Sequence, residues 1–208
     1  MKDEEKVEET KEKAPKKIFI SSRTAVKGLI NGFVSYGVLI IFIFLAIAVL
    51  CSWIINNNRD VLNYEILKYT LPIIGSILIF FLIRGICKLS TYDLFKKCKI
   101  KKENVDEVCT KMNFFYICLV AFSVFFIIIY LTTRFSNEAH SIDELADKYY
   151  KDGGSSYAAY METNMLEEFE ANKLDSLIGT TIIESGLILG LFSLITNQKR
   201  LVERYNTK

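Results

Sequence analysis

Apolar and polar positions along this chain are segregated into long blocks instead of alternating with the period of a strand or of a surface helix. Between Gly28 and Asn58 there is no Asp, Glu, Lys or Arg, and about 20 apolar residues in a helix already cross a hydrocarbon layer of about 30 Å. Four such blocks predict transmembrane helices at about 33–55, 71–90, 113–132 and 177–196. Phe33 and Tyr36 stand near one end of the first and Trp53 near the other, where aromatic rings suit the two interfaces. Thr70 and Pro72 read as the cap and first turn of the second, since proline's missing N–H costs little there. Val105, Val108, Cys109 and Met112 recur at helical spacing and lead into Phe114, so the third helix is expected to begin before its apolar block.

The segment 133–176 has a different pattern. Ser141 with Glu144 forms a capping box, and Ile142, Leu145, Ala146 and Tyr149 fall on one helical face behind it. Gly153 and Gly154 interrupt the pattern, and a second helix over about 156–172 carries Tyr157, Met161, Met165 and Phe169 in steps of four. Two short helices are expected here, with their apolar faces resting on a membrane surface or on a partner. The fold class that follows is all-α: a polytopic membrane helical bundle of about four transmembrane helices with an acidic helical-hairpin outer loop.

Charge orients this bundle. Lys and Arg cluster before the first block, between the second and third, and after the fourth, whereas 133–176 is rich in Asp and Glu; the positive-inside rule then places both termini in the cytoplasm. The chain divides into 1–28, a charged segment expected to be disordered and uncleaved; 29–132, helices one to three with a basic cytoplasmic loop; 133–176, the acidic extracytoplasmic hairpin; and 177–208, the fourth helix with a short basic tail. A net charge of +2 is too small to argue for nucleic acid. Richness in Ile, Lys and Asn fits an AT-rich, bacterial genome, which makes the cell membrane the expected address.

Candidate chemistry is sparse. Arg84 and Glu184 are ionisable residues inside the apolar blocks, where a charge is costly enough to need a partner, a water-filled cavity or a route to the interface. Arg84 can snorkel inwards or pair with Glu184; Glu184 can be hydrogen-bonded within the bundle or serve ion or proton passage. Gly179, Gly186, Gly190 and Ser193 form a stripe of small residues on the fourth helix, fit for close packing within the bundle or for self-association. Lys96, Lys97, Lys99, Lys101 and Lys102 either set topology alone or also attract anionic lipid headgroups.

The acidic hairpin reads as a solvated face, or else as a cation-attracting mouth or a docking surface for a protein partner. Five cysteines without a CxxC pair, and a single histidine, give no metal site and no disulfide framework. No GxSxG, HExxH or phosphate loop is present, so neither catalysis nor a cofactor is expected. The expected role is a non-enzymatic accessory, sensor or scaffold subunit; the alternative is a small oligomeric ion or proton channel or transporter.

Overall fold

A computed structural model describes residues 16–57, 64–153 and 155–207. It is about 94% helical, with four helices long and apolar enough to cross a membrane. A two-residue strand β1 (Ile18–Phe19) precedes α1 (Ser22–Asn57) and α2 (Tyr64–Lys97); strand β2 (Cys98–Lys99) and a 3-10 turn (Lys102–Asn104) lead into α3 (Val105–Gly153) and α4 (Ser155–Thr207). At 1.5 Å per residue α3 and α4 are roughly 75 and 80 Å long. Both helices are far longer than their apolar blocks.

Several boundaries differ from the sequence reading. Residues 16–28 are ordered: Ile18 and Phe19 pair in parallel with Cys98 and Lys99, and Ile20 N–H donates to the Lys99 carbonyl at 2.8 Å. Ser21 then opens α1, its hydroxyl accepting from Thr24 N–H at 3.3 Å. Residues 1–15 of the segment expected to be disordered lie outside the described residues. α2 starts at Tyr64, so Thr70 is a helical residue and Pro72 lies inside the helix. Nothing between Tyr64 and Thr70 breaks a helix, and opposite Pro72 stands Gly179, whose added Cβ would sit 3.5 Å from the ring.

The hairpin is likewise continuous with the bundle. Ser141 lies in the interior of α3, because residues 131–140 contain neither Gly nor Pro, and the capping-box pattern has no helix start to cap. α3 runs to Gly153 and α4 starts at Ser155, so the two form one antiparallel stalk about 30 Å long beyond residue 132. Its apolar faces close on each other. Ile142 and Phe169 are buried, the Phe135 and Phe169 rings meet edge to face at 6.5 Å, and the Lys173 ammonium lies 5.7 Å from the Phe169 ring.

α2 and α3 both pack along α4, while α1 packs on α2 and touches α3. The dense core lies at one end, hereafter the base, where both described chain ends meet and Lys17 Nζ donates to the Tyr205 carbonyl at 3.4 Å. There Ala25 and Leu29 of α1, Cys87 and Phe95 of α2, Met112 and Tyr116 of α3, and Leu194 and Val202 of α4 interlock. Val105, Val108, Cys109 and Met112 are all buried in this layer, and α3 does begin ahead of its apolar block. Gly28 and Gly32 let α1 approach Leu94 and Ser90, and the Ser90 hydroxyl donates to the Leu29 carbonyl at 2.7 Å. Above the base the bundle buries little: of the most apolar stretch of each helix only 0, 17, 6 and 22% is buried, in chain order.

One polar contact closes the base. The Asn206 side chain reads the backbone of Ile100 as a strand partner would, its Oδ1 accepting from Ile100 N–H at 2.7 Å and its Nδ2 donating to Ile100 C=O at 3.0 Å. Both residues are buried. Asn206→Ala leaves that N–H and C=O without partners and is expected to cost about 1–3 kcal/mol. Thr207→Ala, which removes an exposed bond within its own helix, should change stability by less than about 0.5 kcal/mol. Unfolding of the two variants in detergent compares them directly, and equal losses would show that the Asn206 latch does not hold the base.

Candidate functional site

The parallel course of α2 and α4 decides where the intramembrane candidates stand. Gly179 faces Pro72, Gly186 meets the Ser76 backbone, and Gly190 faces Ile83, an added Cβ at Gly190 standing 3.3 Å from Ile83 Cδ1. The small-residue stripe therefore runs along α2, where the absence of side chains lets the two backbones come close. Glu184 lies two turns above Arg84 in this register, about 10 Å along the helix axis. The two side chains go to different partners.

Glu184 turns towards α3. Ser123 Oγ donates to its Oε1 at 2.9 Å, while the same hydroxyl lies 3.0 Å from the Val120 carbonyl, so one hydrogen serves two acceptors. Glu184 Oε2 is buried without a hydrogen-bond partner. Ser123 is also the one polar side chain lining a partly open cavity of about 410 Å³ between α1, α2, α3 and α4, whose walls include Phe33, Phe44, Leu82, Phe122 and Leu187. An under-bonded carboxylate beside an apolar cavity is unusual in a folded interior.

Arg84 lines a different space. Its guanidinium lies over the Phe80 ring, 5.4 Å from the centroid, and the residue lines a cleft of about 230 Å³ between α2 and α4 together with Lys88, Arg200 and Arg204. The sequence reading sets Arg84 beside Glu184 and not beside Lys88, Arg200 and Arg204. Both basic pairs, 84 with 88 and 200 with 204, are spaced four apart, and four crossings already imply that these helices run the same way; that combination was the available signal.

The base holds a second buried polar group. The Tyr116 hydroxyl lies 3.1 Å from Cys87 Sγ, and the thiol donates to Gln198 Oε1 over 3.5 Å. Among the described residues Gln198 Nε2 and Asn113 Oδ1 find no hydrogen-bond partner. These residues join α2, α3 and α4 by a polar contact that no sequence pattern marked. Of the loop lysines, Lys96 and Lys97 are exposed in the last turn of α2, Lys99 is half-buried in β2, Lys101 faces Glu103 at 3.7 Å, and Lys102 is exposed. Among the described residues no three His, Cys, Asp or Glu side chains converge as metal ligands would.

Two double-mutant cycles separate these contacts. Arg84→Met and Glu184→Gln, too far apart to touch, should lower detergent stability additively to within about 0.5 kcal/mol. Ser123→Ala and Glu184→Gln share a hydrogen bond and should be non-additive by about 0.5–3 kcal/mol. A coupled first pair or an additive second pair would contradict the geometry.

No protein-family model matches the chain, and neither a curated protein nor a solved structure is similar to it.

Proposed function

We propose that this chain is a four-span membrane protein with its base and both termini in the cytoplasm, acting as a non-enzymatic scaffold or accessory subunit that presents the acidic stalk to a protein partner outside. The belt of exposed apolar side chains supports the bilayer setting: Leu39, Phe42, Leu45 and Trp53 on α1, Ile74, Leu78 and Phe81 on α2, Phe122, Phe125 and Ile129 on α3, and Leu189 and Phe192 on α4 all face outwards. Soluble chains seldom expose a continuous apolar surface of that extent. Orientation is argued from the lysines and arginines gathered at the base.

The observation that carries the scaffold reading is the stalk. Two helices continue without a break well past the apolar belt, pack on each other through Phe135, Ile142 and Phe169, and leave Asp143, Glu144, Asp147, Glu167, Glu168 and Glu170 exposed. A rigid, acidic projection of that length holds a charged surface clear of the headgroups, where it can steer a basic partner. The channel reading keeps one specific support, the unpartnered Oε2 of Glu184. Against it within a single chain stands the apolar lining of the cavity beside Ser123.

Topology and role are tested in the same cells. With Cys51 and Cys118 replaced by serine, an impermeant thiol reagent should label Cys98 only after the cells are opened, while buried Cys87 and Cys109 stay unlabelled. Labelling of Cys98 in intact cells would reverse the orientation. A photo-crosslinker at position 147 should capture a discrete partner, and changing Asp143, Glu144, Glu167 and Glu168 to amides should abolish the adduct. Cation or proton flux through liposomes containing the purified chain, lost in Glu184→Gln, would instead establish the channel.

A further inference from the structure

Ile77, Phe81, Arg84 and Lys88 follow one another along α2 in steps of four, three and four, so they lie on one helical face. Leu189, Ser193, Arg200 and Arg204, in steps of four, seven and four, likewise share one face of α4. Because the helices run parallel with Gly190 against Ile83, the basic ends of the two faces meet. The cleft they enclose, about 230 Å³, is lined by Arg84, Lys88, Arg200 and Arg204 together with Ser193 and Asn197. No carboxylate lines it. Four cations in one cleft repel one another, and among the described residues none of them has an acidic partner.

We propose that this cleft binds the phosphate of an anionic phospholipid, with the acyl chains lying upward along Ile77, Phe81 and Leu189. The cleft alone would suit any phosphate, since guanidinium groups bind phosphate oxygens through paired N–H donors. What selects a lipid is the surface directly above it: on the same two faces Phe81 is 64% and Leu189 59% exposed, so an apolar tail continues from the phosphate without a gap. Basic pockets between membrane helices on the cytoplasmic side hold anionic headgroups in this way. Arg84 sits highest of the four, its guanidinium over the ring of Phe80 one turn above it; Arg200 and Arg204 sit progressively lower, at the depth of the headgroups and beyond. The site differs from the 96–102 lysines, which lie in the loop after α2 and form no part of the cleft. The proposal rests on the bilayer setting argued above.

The full chain, purified in an uncharged detergent, is titrated with phosphatidylglycerol and with phosphatidylcholine, which share a phosphodiester and differ in net charge. Bound lipid is counted by native mass spectrometry, and the unfolding midpoint is followed in parallel. Phosphatidylglycerol should bind in preference and raise the midpoint. Arg200→Gln with Arg204→Gln should weaken it by about fivefold for each cation removed, whereas Lys96→Gln with Lys97→Gln, the same loss of charge outside the cleft, should leave it within about twofold. Arg84→Gln should behave as the arginine pair does; should it fail to fold, the α4 pair still decides. Equal binding of the two lipids, or an equal loss in the lysine variant, would overturn the cleft. Inorganic phosphate protecting as well as phosphatidylglycerol would make the ligand a free anion and overturn the lipid assignment. Recovery of the chain in a carbonate-washed soluble fraction would defeat the bilayer setting and this proposal together. A membrane-integral chain without headgroup preference defeats the cleft alone.

Discussion

The packing of four helix ends at the base is the interaction on which the remaining geometry depends. Along the apolar belt most side chains face outwards, and α1 buries nothing in its most apolar stretch. Surroundings as apolar as the side chains give no hydrophobic drive for helices to associate. Position and register must then come from elsewhere. They come from Tyr116, Phe95, Met112 and Leu194, fitted together where the helices leave the belt, and from glycines that bring α1 and α4 against α2. Ile100, held by both arms of Asn206, seals that layer.

Register set at the base reaches upward because helices are stiff. With Gly190 against Ile83 and Gly186 against Ser76, the α2 and α4 faces are matched over several turns. This one alignment places Arg84 and Lys88 beside Arg200 and Arg204 and keeps Glu184 two turns higher, at Ser123. Arg84 and Glu184 therefore belong to separate environments, one basic and the other apolar. Side chains with so different a setting have no reason to share a role.

The stalk follows from the same stiffness at the opposite end. Once Phe135 faces Phe169 and Ile142 is buried, continuing α3 and α4 buries apolar surface that a separate pair of short helices would have had to lay elsewhere. α3 ends at Gly153, a residue type that weakens a helix, and α4 starts at Ser155. Acidic residues on the outer faces then extend well clear of the belt, which is what a docking surface for a basic partner requires.

The four apolar helices were legible in the sequence because block length is a local property: a run such as Gly28–Asn58 without a charge needs no neighbour to be recognised. The early start of α3 was legible for the same reason, from Val105, Val108, Cys109 and Met112. Helix ends were misread at Thr70 and Ser141, where a local capping pattern exists but the helix has no cause to start, since capping residues favour an end without creating one. The strand pairing of Ile18–Phe19 with Cys98–Lys99 and the Asn206 latch join residues about eighty and a hundred positions apart, and backbone pairing over such distances leaves no periodic trace. Arg84 and Glu184 stood out as single residues, but whether they met depended on the relative height of two helices, and the cleft depended on two basic pairs facing each other. The sequence by itself determined which segments are apolar helices and which ends are charged; only tertiary packing decided which charges share a space, because a register between helices is written in contacts and not in composition.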